Sequence, residues 1–272
     1  MQTPIRKLLS LGLIAAFSFC GGISAQSLPA VDGANGKLSL SGVLGDNDGY
    51  AATGSYTVPL SHQYGLQLDG IAANLDVGGS EEVGVLGAGF HAFWRDPSKG
   101  LIGIVGSYVS LKDGLNADIF QGGVEGAIYR GRFSLDAIAG VNGGDVIDSD
   151  LFLRTLASYY PTDNTNLQLG YGFQNDYSSL LYGGEIAFDT QNGPSSSLYL
   201  SGKLREGGNN YIETGLRIYF GKSGKPLIRR HREDDPMQLL RPVNIDDWIC
   251  GTDVDPRNPI IPAVARLCAQ PR

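Results

Sequence analysis

Cysteine, histidine, methionine and long apolar runs are all scarce in this chain. Of its 272 residues, 3 are Cys, 3 His, 2 Met and 2 Trp. His62, His91 and His231 lie far apart with no Cys beside them, so no metal-ligand spacing and no cofactor motif is spelled out. A Gly-x-Ser-x-Gly elbow is also missing, which leaves His91 without the usual companion of a catalytic serine. After residue 25 no apolar run is long enough for a spanning helix. The mean hydropathy of −0.08 likewise excludes a bundle of membrane helices. There is no basic stripe with interleaved aromatics, which sets nucleic acid aside as a partner.

The one long apolar run lies at the start. Arg6 and Lys7 precede an apolar stretch over 8–19, and Ile23-Ser24-Ala25 ends it as a cleavage site does, the pattern of a secretory signal removed after Ala25. The bulk of Phe19 argues against lipidation at Cys20. The exported chain then keeps Cys250 and Cys268, and two cysteines in an oxidising compartment most simply form one disulfide. Losing Arg6 and Lys7 takes the net charge from −7 to −9. Residues 26–220 carry 10 Lys plus Arg against 21 Asp plus Glu, whereas 221–272 carry 9 against 7. The change of character places a boundary just after Phe220.

Glycine and tyrosine are abundant instead, at 39 and 13. Between 36 and 220 the chain alternates apolar and polar residues over 36–44, 50–58, 64–74, 83–94, 101–111, 118–129, 132–141, 150–160, 165–174, 179–189, 196–205 and 211–220. A period of two is that of strands with one apolar face and one polar face. Turn signals separate them, as at Asp96-Pro97-Ser98-Lys99-Gly100 and Pro161-Thr162-Asp163-Asn164. About twelve strands of roughly 9–11 residues result, the length that crosses an outer membrane at a tilt. An even number leaves both ends of the array on one side.

The last run is the most regular. Ile212, Thr214, Leu216, Ile218 and Phe220 fall on one face, and Tyr211, Glu213, Gly215, Arg217 and Tyr219 on the other. Glu213, Gly215, Ile218 and Phe220 have the spacing polar-x-Gly-x-x-hydrophobe-x-aromatic. In this the run resembles the closing strand of bacterial outer-membrane β-barrels, where that pattern is the assembly signal. The resemblance implies an all-β, transmembrane, antiparallel up-and-down barrel over 36–221. A signal peptide (1–25) and an N-terminal periplasmic segment (26–35) would precede it, and a loosely structured periplasmic tail (222–272) would follow. Outer-membrane lipid, lipopolysaccharide and the barrel-assembly machinery are the implied partners, and both termini are expected in the periplasm.

Alternate connections fall into two sets. One is rich in Pro and Gly, with Arg95, Lys99, Arg130 and Arg132 nearby; the other carries Asp46, Asp48, Asp76, Glu81, Glu82, Asp113, Asp145, Asp148, Asp150, Asp176 and Glu206. The first set is bracketed by Tyr56 and Tyr64, Phe93 and Trp94, Tyr129 and Phe133, Tyr159 and Tyr160, and Phe188 and Tyr199, which are expected to form an interfacial girdle.

The polar faces point to Asp69, Glu125, Asp136, Arg154, Glu185, Lys203, Arg205, Glu213 and Arg217 as lumen-lining residues. Opposite charges in a narrow barrel either brace it as ion-pair networks or line a path for solutes. In the tail, Arg229-Arg230-His231-Arg232 beside Glu233-Asp234-Asp235 reads as a solvated charge cluster, or as an electrostatic latch onto an acidic partner or the lumen, and the tail as a whole could meet a periplasmic partner. The expected function is a porin-like passive channel for small hydrophilic solutes. The alternatives are a non-conducting barrel with an anchoring or plugging tail and, last, a lipid hydrolase dependent on His91.

Overall fold

A computed structural model describes residues 28–45, 48–76, 82–112, 116–145, 149–174, 177–188, 195–205, 210–234, 236 and 238–241. The strands are β1 (Asn35–Gly45), β2 (Asp48–Pro59), β3 (Tyr64–Asp76), β4 (Glu82–Asp96), β5 (Gly100–Leu111) and β6 (Ala117–Arg130). They continue as β7 (Phe133–Gly144), β8 (Asp150–Thr162), β9 (Thr165–Gln174), β10 (Tyr177–Phe188), β11 (Ser195–Arg205) and β12 (Tyr211–Phe220). Each pairs antiparallel with its neighbours in sequence, and β1 pairs with β12, so the sheet closes into a twelve-stranded barrel. The closing register runs from Gly36 opposite Phe220 to Gly45 opposite Tyr211. Closure leaves no edge strand with unpaired backbone groups.

Alternation decides what each face meets. Leu40, Leu86, Ile102, Val124, Leu151 and Leu169 are each more than half exposed on the outside. So continuous an apolar exterior on a closed barrel is the lipid-facing surface of a membrane protein. Their neighbours in sequence point inward, and there lies the core. One cluster joins Ala30, Val31, Phe93, Leu101 and Tyr129. Another joins Val105, Ile138 and Phe152 to Leu239 from beyond the barrel.

The barrel has a turn end, with the short β2–β3, β4–β5, β6–β7 and β8–β9 connections and both of its terminal strands' outer ends, and a loop end. Of the aromatics expected in one girdle at the turn end, Tyr56, Tyr64, Phe133, Tyr159 and Phe188 are exposed. Phe93, Tyr129, Tyr160 and Tyr199 are instead buried inside. Adjacent residues on a strand face opposite ways, so with Trp94 and Tyr159 beside them Phe93 and Tyr160 take the inward side, while Tyr129 shares the inward parity of Glu125, and Tyr199 that of Ser197 and Ser201.

Two terminal segments enter the turn end. Before β1, the backbone N–H of Ala30 donates to the His62 carbonyl at 2.7 Å. After β12, Pro226 begins the helix α1 (Leu227–Glu233), and the chain beyond it reaches Leu239 and Leu240, both fully buried. Cys250 and Cys268, the signal region and much of the acidic loops lie outside the described residues.

Candidate functional site

Strand parity places all nine lumen-lining residues named from the sequence on the inward face. Asp69, Glu125, Arg154, Glu185, Lys203, Arg205 and Glu213 are buried, while Asp136 and Arg217 are partly so. They do not form one network.

The first group sits where β10, β11, β12 and β1 meet. Arg217 Nη1 donates to Glu185 Oε2 at 2.5 Å, and its Nε donates to Ser39 Oγ at 3.0 Å. The Ser197 and Tyr219 hydroxyls both donate to Glu185 Oε1 at 2.5 Å, so this carboxylate is fully satisfied away from water. The Arg217 guanidinium also lies 4.3 Å from the centre of the Tyr199 ring. Glu213, expected to share a network with Arg217, instead accepts from the Tyr199 hydroxyl at 2.6 Å and Ser201 Oγ at 3.1 Å.

The second group spans β3, β4 and β6. His91 Nδ1 lies 3.0 Å from Glu125 Oε2, and Nε2 lies 3.2 Å from Asp69 Oδ2. Gln67 Nε2 donates to Asp69 Oδ1 at 2.7 Å, and Thr57 Oγ1 donates to Gln67 Oε1 at 3.0 Å. Both nitrogens of this wholly buried imidazole face carboxylates. Toward the loop end, Arg205 stacks over Tyr177 at 4.2 Å and Lys203 over Tyr211 at 4.7 Å. Asp136 borders a polar cavity of about 90 Å³ shared with Ser134, Ser158, Gln168, Lys37 and Arg241.

The terminal segments complete the site, and Arg95 is its hub. Arg95 is fully buried; Nε donates to the Ala30 carbonyl at 2.5 Å, and Nη2 donates to the Glu233 and Asp234 carbonyls at 3.0 Å each. From the sequence it reads as a rim residue, yet it shares the parity of His91 and Phe93 on β4, and that signal points inward. The helix supplies more ties. The Leu227 N–H donates to Asn164 Oδ1 at 3.1 Å, Arg232 Nε to Ser134 Oγ at 3.1 Å, and Arg230 Nη2 to Ser195 Oγ at 2.9 Å. His231 Nδ1 lies 3.0 Å from the Tyr160 hydroxyl, and Nε2 lies 3.5 Å from Glu185 Oε2. Further along, the Leu239 N–H donates to Asp69 Oδ2 at 3.1 Å, which joins the segment to the second group.

A charged cluster ties the two segments to each other at the turn end. Lys225 Nζ lies 2.5 Å from Asp234 Oδ1 and 3.5 Å from Asp32 Oδ2, and Lys222 Nζ lies 3.1 Å from the same Asp32 oxygen. Burial pushes the Asp32 carboxyl up, but the Lys222 hydrogen bond and the charges of both lysines outweigh it and hold it below the ordinary value. At Asp234 burial prevails over Lys225 and Arg230, and its carboxyl is raised. So the four-residue basic run of the tail faces barrel walls, barrel carbonyls and its own acids.

Among solved structures, an outer-membrane channel from Pseudomonas putida F1 superposes with a TM-score of 0.52 at 12% identity, covering 74% of this chain and 99% of that one. The fold is that of an outer-membrane β-barrel. The KdgM porin superposes at a TM-score of 0.48 with 8% identity, covering 68% of this chain and 99% of its own. For the translocator domain of the autotransporter NalP from Neisseria meningitidis the values are 0.47, 11%, 69% and 86%. No family model and no curated protein matches the sequence. Identities this low speak for the fold and leave the function to the site.

Proposed function

We propose that the chain is an outer-membrane channel for small hydrophilic solutes whose passage is occupied by its own C-terminal segment. The observation that carries this is the joining of two features. The barrel has an apolar exterior and a charged interior, and residues 225–234 and 238–241 are held inside it by hydrogen bonds to β3, β4, β7, β8 and β11 and to the β8–β9 turn. Contacts of this kind can be released, and the wall they leave behind would be polar: Asp69, Ser134, Asn166, Glu185, Ser195 and Arg217. Such a lining suits hydrophilic solutes and carries both signs of charge.

Full burial of Leu239, Leu240 and Arg95 favours a second reading, in which the segment is a permanent filling and the barrel serves structure or interaction. The lipid-hydrolase reading loses its geometry, because His91 lies inside the barrel between Asp69 and Glu125 and away from the lipid face. Planar-bilayer recording separates the first two. The full chain should conduct little, and deletion of 222–272 should raise the conductance severalfold. A truncated barrel that folds and stays silent would sink the channel reading.

A further inference from the structure

The two segments that enter the turn end divide the ring between them. The one before β1 holds the side from β3 to β6. Ala30 and Val31 are buried in one cluster with Phe93 of β4, Leu101 of β5 and Tyr129 of β6. Val31 also fills the space over Gly65 of β3, where a Cβ would lie 2.7 Å from Val31 Cγ2. The helix α1 holds the other side. Its hydrogen bonds reach Ser134 of β7, Tyr160 of β8, Asn164 in the β8–β9 turn and Ser195 of β11, and His231 faces Glu185 of β10. The strands β12 and β1, from which the two segments spring, complete the ring.

The halves are also fastened to each other. The Asp32 N–H donates to the Glu233 carbonyl at 3.4 Å, and the Asp32 carboxylate takes both Lys222 and Lys225. The buried Arg95 guanidinium spans the seam: Nε holds the Ala30 carbonyl, and Nη2 holds those of Glu233 and Asp234. Its acceptors are backbone carbonyls drawn from both segments, and a buried charge that loses an acceptor is costly unless water reaches it. Departure of either segment therefore wets the guanidinium and weakens its hold on the other. Resting on the channel reading above, we propose that the turn-end mouth is a two-leaf gate, in which residues 28–34 and 225–234 are interlocked through Arg95 and Asp32 and open together. The N-terminal leaf then regulates the passage as much as the C-terminal one that occupies it. Salt screens exposed pairs, and it reaches Lys222 and Asp32, whose side chains are 64% and 29% exposed, but not Arg95. A pull on the N-terminal leaf acts on every tie of the seam at once.

Hydrogen exchange read by mass spectrometry, on the full-length protein folded in lipid vesicles, tests the interlock without any reliance on conduction. Val31→Asp puts a charge into the apolar seat of the N-terminal leaf, and Val31→Ser weakens the same seat where the first variant does not fold. Either should speed exchange of the 229–234 amides about tenfold or more while leaving those of β8 and β9 unchanged. Conversely, Arg230→Ala removes the helix's tie to Ser195 and should speed exchange of the 30–33 amides to a similar degree. If folded barrels of each variant lose protection only in the leaf that carries the substitution, the interlock is overturned. Planar-bilayer recording keeps the two readings apart. Conductance that rises on deletion of 222–272 while the leaves exchange independently sinks the gate and keeps the channel, whereas silence with reciprocal exchange keeps the interlock and sinks the channel.

Discussion

At the residue scale, the arrangement around Glu185 shows how a buried charge is made tolerable. Its two oxygens take one guanidinium and two hydroxyls, and His231 Nε2 lies 3.5 Å from the oxygen that Arg217 holds. Arg217→Ala should therefore destabilise the barrel by about 2–4 kcal/mol, because the buried carboxylate loses its guanidinium and keeps only the hydroxyls and the more distant imidazole. Glu213→Gln keeps an acceptor for one of the Tyr199 and Ser201 hydroxyls and can donate its NH2 to the oxygen of the other, and should cost under about 1 kcal/mol. Urea unfolding in lipid or detergent distinguishes the pair. Asp32 behaves differently with pH. Its folded carboxyl lies below the ordinary aspartate value of 3.8, so its contribution is present above that value and is lost as the pH falls through the lower, folded one. Proteolysis of the terminal segments should thus quicken only under strong acid, and Asp32→Asn should remove that acid step.

At the element scale, the closing strand explains its own glycine. A Cβ on Gly215 would lie 2.9 Å from Tyr199 Cε1 and 2.9 Å from Ser41 Cβ, and closer still to the Leu40 carbonyl. The Tyr199 ring that holds Glu213 and covers Arg217 needs that space. Gly215→Val should cost about 1–3 kcal/mol by overpacking and lower the fraction of barrel with folded gel mobility. Gly122→Ala, where a Cβ meets nothing within 4 Å, should leave it unchanged. The strands themselves are legible in the sequence, because a period of two survives wherever one face meets lipid. Parity assigns Glu185 and Arg217 inward equally well. The partners are not legible: Glu185 and Arg217 are 32 residues apart, and Ser39 comes from the opposite end of the chain. Nor is the fate of the tail, since a segment broken by Pro226 and Pro236 shows no period and takes its order from walls it meets only in three dimensions. Rings such as Tyr129 and Tyr160 misled as girdle residues because aromatics suit both lipid headgroups and the cations of a docked helix, here Arg232 at 5.4 and 5.6 Å.

At the scale of the whole molecule, the C-terminal segment depends on the barrel for its seat. The segment touches Asp69 on β3, Arg95 on β4, Ser134 on β7, Tyr160 on β8, Ser195 on β11 and Glu185 on β10, and no run of adjacent strands short of the nearly complete ring contains them all. Strands as far apart as β3 and β8 or β4 and β10 face one another across a lumen only when the sheet has curled into its closed form, so the docking site comes into being with closure. In refolding, the shift to folded gel mobility should precede protease protection of 225–241, and a variant that delays closure should delay protection by the same interval. Insertion of the segment is then a reporter of completed assembly. An unclosed sheet offers it no seat, and its Arg229–Glu233 stretch stays open to proteases, so the same residues that fill the finished barrel would mark an unfinished one for removal.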